Sequence, residues 1–350
     1  MDRIKQISPL DAQAMERAQA CWEQVAKPLH SLGLLEEAVI QIAGITGNED
    51  VRLDHRQVIV LCGDNGVVAE GVTQTDSSVT AKVAAAVAGG TSNINVMADA
   101  LGAVVVAVDL GISGPPLGGK VLSRRIAPGT GNIARGPAMR LSQATAAVCA
   151  GMDLVRESRE QGCQILFTGE MGIGNTTPTA ALASVLLGIP PHQATGRGAG
   201  LSRAGLARKV EAVRRAIQVN RPDPSRPLEL LSKLGCYEIA GMVGLFLGGA
   251  VYRVPVVIDG VISAAAALLA VKLAPLCRGY MLCSHVSKEP AGPALLARLG
   301  LTPLIDARLC LGEGSGGLLL LPLLDAALAV YHNAHRFEGL GMERYQEWEN

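Results

Sequence analysis

The sequence predicts an α/β fold: a parallel sheet with helices on both faces. Three observations carry this. First, four short apolar runs, "QVIVLCGDNG", "AVVVAVDLG", "QILFTGE" and "VPVVIDG", are rich in β-branched residues and close on glycines or acids. Second, a helical stretch follows each run, and strands alternating with helices specify parallel pairing. Third, the runs are apolar at nearly every position, as strands covered on both faces require.

Bulk properties agree. A chain of 350 residues can bury a sizeable core in one large unit or two domains. With 49% hydrophobic and 18% charged residues, it is not a disordered chain. Basic and acidic residues balance at 31 each, so the basic excess of a nucleic-acid groove or a membrane-surface protein is missing. We therefore expect neither nucleic acid nor membrane as a partner. Eight scattered cysteines form no C-x-x-C pair, which argues against zinc and thioredoxin-like chemistry and for the reducing cytoplasm.

The elements follow in order. "SPLDAQAMERAQACWEQVAKPL" reads as a helix capped by Ser8, with Pro9 in its first turn, and "SLGLLEEAVIQIAGI" as a second helix. The four strand-like runs come next, and Asp64, Asp109, Glu170 and Asp259 stand at their carboxyl ends. Ligands of parallel sheets sit at those ends, so four acids there suggest a polar cleft, although some acids only cap helices. "LLLLPLLDAALAVYHNAHRF" reads as a last helix. No repeat or low-complexity linker divides the chain. The expected organisation is a catalytic domain over 50–312 and a small helical lobe from residues 1–45 and 315–350.

Three glycine-rich stretches can carry chemistry. "GEMGIGNTTPTAAL" leads from a strand through Gly172, Gly174, Asn175 and Thr176 into a helix, with Thr177 as expected cap and Pro178 in its first turn. Unpaired N–H groups and the helix dipole there attract an anion, most simply a phosphate. Alone, the stretch equally suits a structural turn. It is neither a Walker loop nor a dinucleotide fingerprint. "GRGAGLSRAGLARKV" adds Arg197, Arg203, Arg208 and Lys209, cations that complement phosphate charge. In "LCLGEGSGGLLLLPLL", Glu313 stands between glycines ahead of a helix capped by Ser315. A nearby helix N-terminus favours the ionised carboxylate, so Glu313 is a candidate general base.

Among the histidines, His285 is a cleft candidate because it follows a strand-like run. His332 and His335 are expected at the surface. No His, Cys and acid set has metal-site spacing, so no catalytic metal and no cofactor are expected.

At these residues the chain resembles the nicotinate-nucleotide–dimethylbenzimidazole phosphoribosyltransferase family. The resemblance runs through "AKPLHSLGLLEEAVIQIAGI", "GDNGVVAEGVT", "GGTSNINVMA", "GEMGIGNTTPTAAL", "GRGAGL", "DGVISAAAAL", "SHVSKEP" and "LGEGSG", all in order. It implies a Rossmann-like sheet with a small helical lobe from both chain ends, usually as a homodimer. It also implies transfer of phosphoribose from nicotinate mononucleotide to a base nitrogen, with inversion to the α-linkage and release of nicotinate. Carried over by motif, Glu313 is the general base, Glu170 lies beside the ribose, and Gly172–Thr177 with Lys209 hold the 5′-phosphate. Ser287, within "SHVSKEP", joins the substrate contacts.

The chain also departs from the family pattern. Asn65 replaces a histidine, and Thr75, Asp76 and Ser77 stand where an aromatic-Pro-Gln run is usual. Lys82 stands where glutamine is expected, and Val286 and Pro293 replace Arg and His. The segment holding Ser77 and Lys82 resembles the family's base-binding wall. The changes leave two acceptors open, dimethylbenzimidazole or a phenol, whose O–H ionises near pH ~10 and which Lys82 would favour as phenolate. Relatives that use phenols pair two paralogous chains, so a heterodimer, or a non-catalytic subunit beside a catalytic partner, is the alternative.

Overall fold

The computed structural model describes residues 1–346. Its centre is a six-stranded, all-parallel sheet: β1 (Arg56–Gly63), β2 (Ala103–Gly111), β3 (Leu122–Ser123), β4 (Ile165–Met171), β5 (Val256–Ile258) and β6 (Met281–Cys283), in the order 3-2-1-4-5-6. The four predicted runs are β1, β2, β4 and β5. The order reverses between β1 and β4, and in doubly wound sheets of this order the crevice at that reversal binds the ligand.

Alternation along the strands builds two cores. Val58, Val60 and Cys62 of β1 pack on one face with Phe167, Leu321 and Tyr331, while Ile59 and Leu61 pack on the other with Phe246, Leu166 and Met152. Successive strand side chains point to opposite faces, so a run buried at every position supplies both.

On the second face, helices Leu141–Glu160 and Tyr237–Tyr252 pack backbone to backbone. A Cβ at Gly151 would lie 2.1 Å from the Gly241 carbonyl oxygen, and one at Gly244 would lie 2.1 Å from that of Val148. The two backbones touch because neither glycine carries a side chain.

The chain ends meet. Ala26 N–H donates to His335 O (2.9 Å), Phe337 N–H donates to Gln24 O (3.0 Å), and Trp22 meets Tyr331 edge-on with ring centroids 4.9 Å apart. These contacts join the two ends of the expected lobe, 1–45 and 315–350, of which 347–350 lie outside the described residues. That lobe shares its core with the sheet, since Trp22, Val39 and Leu321 belong to the same apolar cluster as Val58.

Two local expectations are corrected. The first long helix is Ala12–Gln24, and its cap is Asp11, whose Oδ1 accepts the Ala14 N–H (2.9 Å). Ser8 instead offers its carbonyl to the Tyr280 hydroxyl (3.0 Å), outside the helix. His332 is half-buried, with Nε2 against Val51 O at 2.9 Å. The segment Ser315–Asn333 is apolar and long enough to cross a bilayer by length alone, but more than half of it is buried in the fold, as in a core element.

The helix pairing yields a test. Gly244→Ala forces overpacking in a dry core, which destabilises by about 1–3 kcal/mol. Thermal unfolding should show a lower Tm than the parent; an unchanged Tm would mean that the helices are not in backbone contact.

Candidate active site

A cavity of about 210 Å³ opens at the carboxyl ends of β4 and β5. It is walled by the loop after β4, the 197–201 loop ahead of helix Arg203–Asn220, the loop after β6, and the 309–315 turn.

The turn holding Glu313 is unusual in its backbone. Gly312 (φ 85°), Glu313 (φ 62°) and Gly314 (φ 92°) are all left-handed. Glycine adopts this freely, whereas a Glu there stores strain of order 1 kcal/mol or more. Asp259, at the end of β5, offsets that strain: its carboxylate accepts the Gly317 N–H (2.7 Å) and the Gly314 N–H (3.3 Å). The turn also needs room, because a Cβ at Gly169 of β4 would lie 2.6 Å from the Glu313 carbonyl oxygen. Ser315 is therefore not the cap. It is the first residue of the short helix Ser315–Leu318, Gly314 holds the cap position, and the capping carboxylate comes from Asp259.

Glu313 Oε2 is buried without a hydrogen-bond partner, and burial pushes the carboxyl above its ordinary range. Here desolvation outweighs the helix N-terminus that the sequence suggested would keep it ionised. Glu170 feels this more strongly. Burial pushes it up to about 8, against a hydrogen bond from Asn175 Nδ2, and neighbouring Asp259, Glu238 and Glu313 add to the rise. The Glu313 turn is adjacent, since a Cβ at Gly312 would lie 2.9 Å from Glu170 Oε1.

The loop after β4 forms the other wall. Its helix is Thr176–Leu187, and Asn175, not Thr177, is the cap. The Asn175 side chain makes no cap bond because it is committed to Glu170. The N–H groups of Asn175, Thr177 and Thr179 are used within the turn, bonding to Gly172 O, Gly174 O and Asn175 O. Fewer donors are free than the sequence suggested: among the described residues, the N–H groups of Gly174 and Thr176 have no acceptor. Gly174 reaches this geometry at φ 88°.

Lys209 supplies the cation. It is almost fully buried, and its Nζ donates to Thr176 Oγ1 (2.7 Å) and Gly196 O (3.2 Å). Burial lowers it to about 8, with Glu289 opposing the fall. Glu289 Oε1 also accepts the Gly198 N–H at 3.2 Å. A buried ammonium with two neutral acceptors and no ion pair among the described residues is incompletely paired, and an anion would complete it.

The structure brings Glu313, Glu170, Gly172, Gly174, Asn175, Thr176, Lys209 and Ser287 onto one cavity, with His285 and Asp259. It does not bring Thr177, Ser77 or Lys82 there. Thr177 is buried behind the loop, Ser77 is half-buried ahead of helix Ser78–Gly89, and Lys82 is exposed on that helix. The helix touches the site through Thr80, whose Oγ1 accepts the Ile173 N–H (3.2 Å). Of the four strand-end acids, Asp64 and Asp109 are structural. Asp64 accepts the Ser113 N–H (2.7 Å), while Asp109 accepts the Ile112 N–H (2.8 Å) and pairs with Arg125 (2.8 Å). Sequence reasoning missed Glu289 and Glu238. Among the described residues no three His, Cys, Asp or Glu converge on a metal position.

The buried carboxyls make stability pH-dependent. Glu170 titrates in the fold near 8 against 4.5 for the free side chain, so its contribution is full below about 4.5 and is lost as pH rises through 8. The unliganded protein should therefore show a urea midpoint that falls between pH 5 and 8, and Glu170→Gln should flatten part of that fall. A midpoint that rises over this range in the parent would contradict the assignment.

A sequence profile of the family described as "Phosphoribosyltransferase" matches residues 7–341. The nicotinate-nucleotide–dimethylbenzimidazole phosphoribosyltransferase of Ruminiclostridium cellulolyticum is 42% identical over 348 residues, covering 99% of each chain. That of Desulforudis audaxviator is 44% identical, covering 97% of each. The crystal structure of CobT from Thermus thermophilus superposes with a TM-score of 0.89 at 39% identity, over 95% of this chain and all of that one. These full-length matches show that the chain belongs to the nicotinate-nucleotide–dimethylbenzimidazole phosphoribosyltransferase family.

Proposed function

We propose that this chain transfers 5-phosphoribose from nicotinate mononucleotide to dimethylbenzimidazole, with inversion at the anomeric carbon. One observation carries the reading: Glu313, Glu170 and the Lys209–Thr176 cradle all line the same cavity.

The site's groups divide the work. The 5′-phosphate is held by the Gly174 and Thr176 N–H groups and by Lys209, whose charge the dianion restores. The ring nitrogen of the nucleotide is cationic, so nicotinate departs with the bonding electron pair and needs no proton. The ribose carbon gains positive charge as that bond breaks. Burial raises Glu170 in the empty site, and a bound pyridinium cation favours its ionised form. It then stabilises the developing oxocarbenium charge. The acceptor nitrogen bonds to carbon from the opposite face, and its other N–H becomes acidic. Glu313 takes that proton, and burial, which raises its pKa, makes it a stronger base than an exposed carboxylate. Attack opposite the leaving group gives the α-linkage.

Dimethylbenzimidazole is favoured over a phenol as acceptor. Lys82, the cation on which the phenolic reading relied, is exposed and away from the cavity. A catalytic role is favoured over a supporting one, because a non-catalytic chain has no reason to maintain the strained Glu313 turn. All eight cysteines are free, which supports a reducing, cytoplasmic setting. Dimerisation with a second copy or a paralogue belongs to the same proposal.

Supplying nicotinate mononucleotide with dimethylbenzimidazole, adenine or phenol, then weighing the products, tests the reading. An α-ribazole phosphate is expected. Product from phenol alone would overturn the acceptor, and no nicotinate release from any mixture would overturn the reaction. Glu313→Gln should lower kcat by about 10²-fold or more while the mononucleotide still binds; full activity would remove Glu313 from the base role. Lys209→Ala should weaken mononucleotide binding at least about tenfold by calorimetry, because a charge-assisted contact is lost. Equal affinity would place the phosphate elsewhere.

A further inference from the structure

Glu238 lies outside the cavity lining and has no part in the steps above, yet it is the most completely buried carboxyl near the site. It is one residue into helix Tyr237–Tyr252, amid apolar neighbours, and has no exposed surface. Its Oε1 accepts a hydrogen bond from Asn65 Nδ2 (3.0 Å), and its Oε2 has no partner. It makes no ion pair among the described residues.

Its position is specific. Gly63 and Gly172 each follow one member of the registered pair Cys62–Met171, at the point where β1 and β4 part. A Cβ at Gly63 would lie 2.8 Å from Glu238 Oε2, and one at Gly172 would lie 1.8 Å from Oε1. The carboxyl thus occupies the space that side chains at both glycines would fill. Gly172 opens the loop that carries Gly174 and Thr176. One turn further along the same helix, Met242 lines the cavity.

We propose that Glu238 is a positioning residue with two effects: its carboxyl seats the Gly172 end of the phosphate loop, and its charge governs the charge that Glu170 can hold. The inference rests on the phosphoribosyl-transfer reading. The groups acting on Glu238 are Asp64 just beyond β1, Asn65 beside it and Cys236 at the start of its own helix. Cys62 of β1 and Glu170 of β4 feel its charge. Desolvation, with the charge of Asp64 adding to it, pushes Glu238 up to about 7, against its own backbone N–H, Asn65 and Cys236, which favour the ionised form. Two desolvated carboxyls sharing one region do not ionise independently.

Two substitutions separate the effects. Glu238→Gln keeps the Asn65 acceptor and the volume but removes the charge. Glu238→Asp keeps the charge but withdraws it from Gly172. The readout is nicotinate release from the mononucleotide, with saturating dimethylbenzimidazole, between pH 5.5 and 9. In Glu238→Gln the acid limb of kcat/KM should move down by about half a pH unit or more, because a like charge near Glu170 is gone. In Glu238→Asp the limb should stay with the parent, while KM for the mononucleotide rises about fivefold or more as the loop loses its seat. A Gln variant with the parent's limb overturns the charge effect, and an Asp variant with the parent's KM overturns the seating effect. If the Gln variant does not fold, the KM of the Asp variant decides. A parent that releases no nicotinate refutes the reaction itself, which is a different outcome from a parent and variants that behave alike.

Discussion

The site depends on keeping several carboxyls out of water at the carboxyl edge of one parallel sheet. Glu170, Asp259, Glu313 and Glu238 crowd together there, and desolvation raises all four above their ordinary range. Such crowding is tolerable only if each group is held by hydrogen bonds or stays protonated until a cation arrives. The fold supplies the hydrogen bonds chiefly from backbone and amide donors. Asp259 takes two N–H groups from the Glu313 turn, Glu170 takes the Asn175 amide, and Glu238 takes that of Asn65. On the proposed reading, the pyridinium ring of the substrate supplies the cation beside Glu170.

This explains why glycines frame the site. Gly63, Gly169, Gly172 and Gly312 all lie where a Cβ would strike a glutamate. Gly314 and Gly174 take left-handed conformations that turn the chain toward the cavity. The glycines here serve close approach first and turning second. At the opposite end the balance of charge reverses. Lys209 is a cation without an adequate anion, so the empty site pairs an excess of acid with a buried ammonium. A nucleotide with a cationic ring and an anionic phosphate complements both.

Much of this was legible in the sequence, for reasons that differ by element. The four strands announced themselves because burial on both faces removes polar positions. Glu313 and Glu170 stood out because a charged residue among glycines has no packing explanation. Two caps were misread because cap preference is local, whereas the Asn175 amide is committed to Glu170 and the cap of the Ser315 helix comes from Asp259, distant in sequence. Asp64 and Asp109 looked like site residues because strand-end position alone does not say which way an acid turns. Glu238 was passed over inside "YEIAGMVGLFLGGAVY", which reads as a buried apolar helix. A single acid in so apolar a stretch was the available signal, since a buried carboxyl needs a reason to be there.

A crystal structure with nicotinate mononucleotide bound tests the central claim most directly. The account predicts the phosphate within hydrogen-bonding distance of Lys209 Nζ and the Thr176 N–H, the pyridinium near Glu170, and Glu313 on the face of the anomeric carbon away from nicotinate. A phosphate bound away from the loop after β4, or a nicotinate ring lying between Glu313 and the anomeric carbon, would contradict it.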